Sequence, residues 1–117
     1  MKTIIINKGW GHELIFASED EYCGKFLNFN QHAKFSMHFH RDKDETWYVQ
    51  SGKFEVYWID TQTAKMNMKK LKVGDTWRNP PLVPHQLQCM EAGTIIEVST
   101  YDDPEDNYRV LAGDSQK

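Results

Sequence analysis

Short strand-like segments separated by turn residues fill this sequence, and no segment sustains a helical period. Asn79-Pro80-Pro81 ends any strand before it, because proline has no amide hydrogen to donate to a ladder. The pattern predicts an all-β sandwich or barrel. Ser51-Gly52 predicts a hairpin turn between residues 45–50 and 53–59. Residues 102–107 are predicted to be irregular or briefly helical, and residues 113–117 to be frayed.

The bulk properties indicate one globular domain. The chain has 117 residues and a net charge of −3, and its longest basic tract is Lys69-Lys70, which argues against nucleic-acid binding. No apolar run approaches the roughly 20 residues that span a bilayer, so no membrane association is expected. The apolar stretch near the N-terminus is too short for a signal peptide, which predicts a cytoplasmic protein. Cys23 and Cys89 are therefore expected to be free thiols.

Four polar residues are spaced as a candidate metal site. His38 and His40 are two apart on a predicted strand and so point to the same face, which we expect to look into the barrel. Glu45 opens the next strand, and a hairpin across the charged turn at 41–44 is expected to place it opposite the histidine strand. His85 opens a later strand. Three imidazoles and one carboxylate suit a divalent transition metal such as Mn, Fe, Co, Ni or Zn.

Two motifs resemble those of the cupin superfamily. The first is His38-x-His40-x4-Glu45-x6-Gly52, and the second is Gly74-x5-Pro80-x4-His85. The resemblance implies a double-stranded β-helix, the cupin jelly-roll barrel, with a metal ion held by the two histidines of the first motif, its glutamate and the histidine of the second. It also implies one cupin domain over residues 1–117, made of N-terminal strands in 3–16, a barrel core over about 22–101 and a tail in 102–117.

The sequence departs from the cupin pattern at three positions. His32 and Leu82 stand where the family often has glycine, and Cys89 stands where it often has asparagine. These positions shape turns and packing, so the departures concern loop geometry more than metal binding.

A finer resemblance covers nearly the whole chain. Ser36–Gly52 is similar to the matching stretch of type II mannose-6-phosphate isomerases and other sugar-modifying cupins, and Asp106-x-x-Arg109 resembles the tail of that domain. Those isomerases often have glutamine where this chain has His38, and they usually carry a nucleotidyltransferase domain that this sequence does not include. The likeness implies a metal-dependent sugar or sugar-phosphate isomerase or epimerase, acting on a small-molecule substrate.

Five further residues are candidates for that chemistry. A base must move a proton between adjacent carbons, and Glu97 or a hydroxide on the metal could do so. Lys43 and Arg109 are candidates to orient anionic substrate groups. Trp10 and Trp47 are candidate pocket walls. Each has a structural alternative. Lys43 could be a solvated turn residue, Glu97 a surface residue of its strand and Arg109 a partner of the acidic tail. Trp10 and Trp47 could be core residues.

Other functions fit the same ligand set. A small non-haem iron dioxygenase would use the same four side chains, and a non-catalytic, metal-containing sugar-binding module would need no base. Exposed edge strands are a liability in a small barrel, so we expect a homodimer through Thr3–Ile6 or the Trp58 region.

Overall fold

Two antiparallel β-sheets face each other in a computed structural model that describes residues 2–117. Met1, the first residue of the predicted single domain, lies outside the described residues. The described residues form eleven strands: β1 (Ile4–Lys8), β2 (Gly11–Ser18), β3 (Cys23–Phe29), β4 (Met37–Phe39), β5 (Glu45–Val49), β6 (Lys53–Ile59), β7 (Met66–Leu71), β8 (Thr76–Asn79), β9 (His85–Glu91), β10 (Gly93–Ser99) and β11 (Tyr108–Leu111). One sheet has the order β1-β2-β3-β10-β5-β8 and the other β11-β4-β9-β6-β7. The predicted all-β jelly-roll barrel is confirmed.

The core lies between the two sheets. Burial alternates along β5 and β9, so every second side chain points inward, as a strand facing a core requires. Trp47, Phe54 and Leu87 are almost completely buried, and each such side chain contributes about 1.5–3 kcal/mol by leaving water. Phe35 extends this core to the candidate metal ligands, since its ring centroid lies 5.0 Å from that of His38.

The predicted hairpin at Ser51-Gly52 is wrong. β5 pairs with β10 and β8, whereas β6 pairs with β9 and β7, so the chain crosses from one sheet to the other at this turn. Gly52 has a φ of 86°, and a Cβ atom there would lie 2.6 Å from the carbonyl oxygen of Glu91. The glycine allows the chain to pass closely by Glu91 as it moves from one sheet to the other, and it does not close a hairpin. The residues of the turn alone do not distinguish these two connections.

The C-terminal tail is more ordered than predicted. Residues 102–107 form turns, as expected, but β11 then pairs with β4, and Tyr108 stacks on Phe39 with ring centroids 5.1 Å apart. Residues 113–117, predicted to be frayed, include a 3-10 turn at Asp114–Gln116, and the Asp114 carboxylate accepts a hydrogen bond of 2.9 Å from the backbone N–H of Lys34. These partners lie far apart in the sequence, so no local pattern reveals them.

Two non-glycine residues adopt the left-handed conformation that the family gives to glycine. His32 has a φ of 65° and Leu82 a φ of 72°. Both turns therefore need a left-handed residue, which a side chain with a Cβ atom adopts at a cost in strain.

Both cysteines, Cys23 and Cys89, are buried free thiols, as predicted. Within residues 2–117 there is no helix with the length and apolar character needed to traverse a membrane.

Candidate metal centre and cavity

Three histidines converge between the sheets. His38 lies on β4, His40 follows that strand directly, and His85 opens β9, where it pairs in register with His38. One ring nitrogen from each lies within 4.8 Å of the other two. The predicted inward orientation of the His-x-His pair is therefore what the structure shows.

Hydrogen bonds to the Nδ1 atoms orient the imidazole rings. Nδ1 of His85 donates to the carbonyl of Val83 at 3.0 Å, and Nδ1 of His40 donates to the carbonyl of Asp106 at 2.6 Å. Because a carbonyl oxygen can only accept, each Nδ1 carries the proton and each Nε2 of the neutral ring presents a lone pair. Nδ1 of His38 lies 2.9 Å from the hydroxyl of Ser36. This is the arrangement in which Nε2 atoms bind a metal ion.

Glu45 reaches the histidines from the opposite sheet, so the predicted hairpin between its strand and the histidine strand is wrong. Its Oε1 lies 3.2 Å from Nε2 of His40 and 3.3 Å from Nε2 of His85. Its Oε2 accepts a hydrogen bond of 2.9 Å from the indole N–H of Trp47. One carboxylate oxygen is thus held by the protein while the other faces two ring nitrogens.

These atoms fit a cation. Nε2 of His85 is buried and has no hydrogen-bond partner among residues 2–117. An unsatisfied lone pair facing a carboxylate oxygen is costly in a buried site unless a proton or a metal ion lies between them. Burial acts to lower the pKa of His40, but its hydrogen bonds to Glu45 and Asp106 raise that pKa above the ordinary value. A proton on His40 and a metal ion would therefore compete for the same position.

A cavity of about 270 Å³ opens beside the histidines. Both apolar and charged side chains line it, and the charged set of Glu13, Lys25, Lys43, Glu97 and Asp102 is called the charged wall below. The predicted site residues that line it are Trp10, His38, His40, Lys43, Glu45, Glu97 and Arg109.

The two tryptophans occupy different places. Trp10 forms part of the cavity wall and stacks on Phe29, with ring centroids 4.4 Å apart. Trp47 is only 1% exposed and lies beneath the carboxylates, where its indole N–H is shared between Glu45 at 2.9 Å and Glu97 at 3.2 Å. The structure thus gives Trp47 contact with the two carboxylates and not with the open part of the cavity.

Arg109 lies on β11 directly across from His38 in the antiparallel register. Its side chain is exposed and lines the mouth of the cavity. Residues directly opposite on neighbouring strands project to the same face, so the guanidinium stands on the side of the sheet that carries the histidines.

Lys43 and Glu97 form a buried ion pair in the charged wall. Nζ of Lys43 lies 3.0 Å from Oε2 of Glu97 and 3.0 Å from Oδ1 of Asp102. On the other side of Asp102, Nζ of Lys25 lies 3.0 Å from Oδ2 and 3.0 Å from Oε1 of Glu13. Lys43 is therefore not a solvated turn residue, and Glu97 is not on the surface.

Three members of this network were not among the predicted site residues: Lys25, Asp102 and Glu13. Lys25 lies inside a strand whose other residues are largely buried, and a charged residue within such a strand is the signal that could have identified it.

Burial and charge set the pKa values in this wall. Burial and repulsion by Glu45 raise the pKa of Glu97 to about 7. Burial opposes the charge on Lys43, but attraction to Glu97, Glu45 and Asp102 together raises its pKa well above the ordinary value. Burial alone would raise the pKa of Glu45, but the charge of Lys43 and the hydrogen bonds to His40 and His85 together hold that pKa well below the usual range. For His38, burial and the neighbouring histidines lower the pKa.

Residues 25–101 match the sequence profile of the cupin domain. No curated protein matches the chain in sequence.

Solved structures share the fold. Oxalate decarboxylase from Bacillus subtilis superposes with a TM-score of 0.80 at 17% identity, over 93% of this chain and 30% of that chain. KdgF from Halomonas sp. superposes with a TM-score of 0.73 at 19% identity, over 90% of both chains. The chain thus spans less than a third of the decarboxylase but nearly the full length of KdgF. The Bacillus decarboxylase has Mn(II) centres.

Proposed function

The chain belongs to the cupin family, and we propose that it is a metal-dependent enzyme that isomerises or epimerises a sugar or sugar phosphate. One observation carries the metal site: Nε2 of His40 and Nε2 of His85 converge on the same oxygen of Glu45 at 3.2 and 3.3 Å, and Nε2 of His85 is buried with no hydrogen-bond partner among residues 2–117. His38 completes a set of three nitrogens and one oxygen.

The donor set leaves several metals possible. Three imidazoles and one carboxylate accept Mn, Fe, Co, Ni or Zn. The Mn(II) centres of the structurally similar decarboxylase make Mn(II) the first ion to test. A bound divalent ion would act as a Lewis acid that polarises a substrate carbonyl.

Glu97 is the base in this proposal. It lines the cavity, is buried, and is held by Lys43 at one oxygen and by Trp47 at the other. A carboxylate fixed at both oxygens beside the metal ligands is placed to take a proton from one carbon of the substrate and return it to the next.

The remaining residues bind and orient the substrate. Arg109 at the cavity mouth would pair with an anionic group, for which its planar guanidinium is well suited. Trp10 offers an apolar ring to a sugar face. Lys43 is already paired with two carboxylates, so its role is to hold Glu97 and Asp102 rather than to receive an anionic group from the substrate.

The test uses the full chain loaded with Mn(II). Aldoses, ketoses and their phosphates are incubated in deuterated water, and loss of the C2 proton signal is followed by NMR. We expect exchange and interconversion with at least one substrate, and a loss of about 10²–10⁴-fold in Glu97→Gln. No exchange with any sugar would contradict the proposal. Oxygen consumption with Fe(II) would instead indicate a dioxygenase, and sugar binding without turnover a binding module.

We also propose a homodimer formed through β1. Ile4, Ile5 and Ile6 are 48%, 62% and 38% exposed on the edge strand of the larger sheet, and such an edge invites pairing with a second chain. The Trp58 region is a weaker candidate, because Trp58 already packs against Trp77 with ring centroids 4.7 Å apart. Sedimentation should show a dimer that Ile5→Glu dissociates; a wild-type species of 13.8 kDa alone would contradict it.

A further inference from the structure

The carboxylate of Asp106 binds three consecutive backbone amides. Its Oδ1 accepts a hydrogen bond from the N–H of Arg41 at 2.7 Å, and its Oδ2 accepts from Asp42 at 3.0 Å and Lys43 at 3.1 Å. Asp106 is only 9% exposed. Hydrogen bonds between a carboxylate and backbone amides are among the stronger ones in proteins, so this side chain holds the turn 41–43 from a position more than sixty residues away.

The same residue also holds a candidate metal ligand. The backbone carbonyl of Asp106 accepts the 2.6 Å hydrogen bond from Nδ1 of His40. One residue of the tail therefore contacts four consecutive residues of the first motif, from His40 to Lys43, and only Asp44 separates them from Glu45.

Two neighbours keep Asp106 itself in place. Its N–H donates to the carbonyl of Asp103 at 3.0 Å. Two residues later β11 begins, where Tyr108 pairs with Phe39 of the histidine strand. Asp106 is thus held both by its own turn and by the sheet that carries His38.

The turn 41–43 has two consequences for the site. Its backbone conformation sets the position of the His40 ring at one end. At the other end it sets whether the Lys43 side chain reaches Glu97. Neither His40 nor Lys43 lies in a strand, since the described β4 ends at Phe39 and β5 begins at Glu45. The backbone of His40 is held by a hydrogen bond of 2.7 Å from the N–H of Leu82 to its carbonyl, which does not orient the ring.

We propose that Asp106 is a positioning residue for the metal site: its carboxylate fixes the turn 41–43 and its carbonyl fixes the His40 tautomer, so that Nε2 faces the other ligands. Its expected effect on metal binding rests on the proposed function, whereas its hold on the turn does not. Outer hydrogen-bond partners of metal-binding histidines commonly change metal affinity by 10- to 100-fold.

The first experiment needs no substitution. Amide hydrogen exchange is measured by NMR on the wild-type chain at Arg41, Asp42 and Lys43. Gln62 and Thr63 are the reference, because their amides donate to the exposed Asp60 carboxylate in a similar turn. We expect exchange at 41–43 to be at least tenfold slower. Equal rates in the two turns would overturn the proposal.

The second experiment measures Mn(II) affinity by electron paramagnetic resonance. Asp106→Asn keeps one acceptor oxygen and Asp106→Ala keeps none, so we expect about a tenfold and up to a hundredfold weaker affinity respectively. Glu105→Gln is the matched control, because it removes the same charge from an exposed position in the same tail. Each protein is measured well below its melting temperature, with its fold checked by circular dichroism and the shape of the Mn(II) spectrum recorded.

The outcomes separate this proposal from the proposed function. If both Asp106 variants bind Mn(II) like Glu105→Gln, the positioning role is overturned. If the wild-type chain binds no Mn(II), the metal-dependent function fails, and faster exchange at 41–43 in Asp106→Asn alone then supports the hold on the turn. If the variants do not fold, the wild-type exchange rates decide.

Discussion

The ammonium group of Lys43 and the carboxylate of Glu97 meet at 3.0 Å, and each side chain is 6% exposed. An ion pair this deep is costly to desolvate, and its value depends on both partners being present. Trp47 and Asp102 complete the hydrogen bonds around it. Removing one partner leaves an unpaired buried charge beside the candidate metal ligands. This should destabilise the fold more than removing both partners does.

A double-mutant cycle tests this pair. Lys43→Met should lower the free energy of unfolding by about 3 kcal/mol, because Glu97 and Asp102 lose their shared cation. Glu97→Gln should lower the free energy of unfolding less in the Lys43→Met background than in the wild-type chain. The difference is a coupling energy of about 1–3 kcal/mol. Urea denaturation of the four proteins measures it.

An exposed ion pair in the same chain is the control. Lys53 and Glu91 lie 3.3 Å apart with side chains 64% and 58% exposed. Their coupling in an equivalent cycle should stay below about 1 kcal/mol. A buried pair that couples no more strongly than this one would show that Lys43 does not hold Glu97.

The candidate metal ligands were predictable because strand alternation is a local rule. His38 and His40 are two residues apart, and period two alone places them on one face. The motif spacing then pointed to Glu45 and His85. The structure brings these four side chains together between the sheets.

The charged wall was less predictable, because its contacts join distant strands. Glu97 was a candidate base, but its partner Lys43 is 54 residues away, and no sequence pattern encodes that contact. Trp10 and Trp47 were both candidate pocket walls, and only Trp10 lines the cavity, because Trp47 is buried deeper between the sheets. The split of β5 and β6 between sheets likewise depends on partners far along the chain.

Leu82 offers a test of backbone strain. Its φ of 72° costs about 1–2 kcal/mol for a residue with a Cβ atom, and its side chain is 57% exposed, so little packing is at stake. Leu82→Gly relieves the strain in the folded state, which stabilises the protein. Glycine also increases the conformational entropy of the unfolded chain, which offsets part of that stabilisation. We expect a net stabilisation of up to about 1 kcal/mol, measured by urea denaturation.

Val73→Gly is the control for this substitution. Val73 is also exposed, but it lies in a turn where the left-handed φ belongs to the next residue, Gly74. The same change there should destabilise the protein by roughly 0.5–1 kcal/mol. If both glycine substitutions destabilised the chain equally, the left-handed turn at Leu82 would not be a source of strain.

The ordered C-terminus predicts a pH-dependent contribution to stability. Burial acts to raise the pKa of Asp114, but the hydrogen bond from the backbone of Lys34 and the contact with Lys117 lower it below the ordinary value. A depressed native pKa stabilises the fold above the unfolded pKa, and the contribution is lost as pH falls through the native pKa. Asp114→Asn should cost about 1 kcal/mol at pH 7 and progressively less below about pH 4.

Thermal unfolding of Asp114→Asn and wild type across pH 2–7 checks this prediction. Asp20→Asn is the control, because Asp20 is exposed in a bend and should contribute little at any pH. A constant difference between Asp114→Asn and wild type over the whole range would mean that the carboxylate charge has no part in anchoring the tail.

Metal binding should stabilise the folded chain. Since the site is assembled by folding, Mn(II) at about a hundred times its Kd should raise the free energy of unfolding by about 2.7 kcal/mol, and a chelator should reverse this. His85→Gln removes the buried nitrogen that has no other partner within residues 2–117, so its stability should respond little to Mn(II). His12→Gln is the matched control, because Nε2 of His12 lies beside the side-chain amide of Asn28 on β3 and should leave the Mn(II) response intact. Comparing each variant with and without the ion separates metal binding from the cost of the substitution itself, and an undiminished response in His85→Gln would place the ion elsewhere.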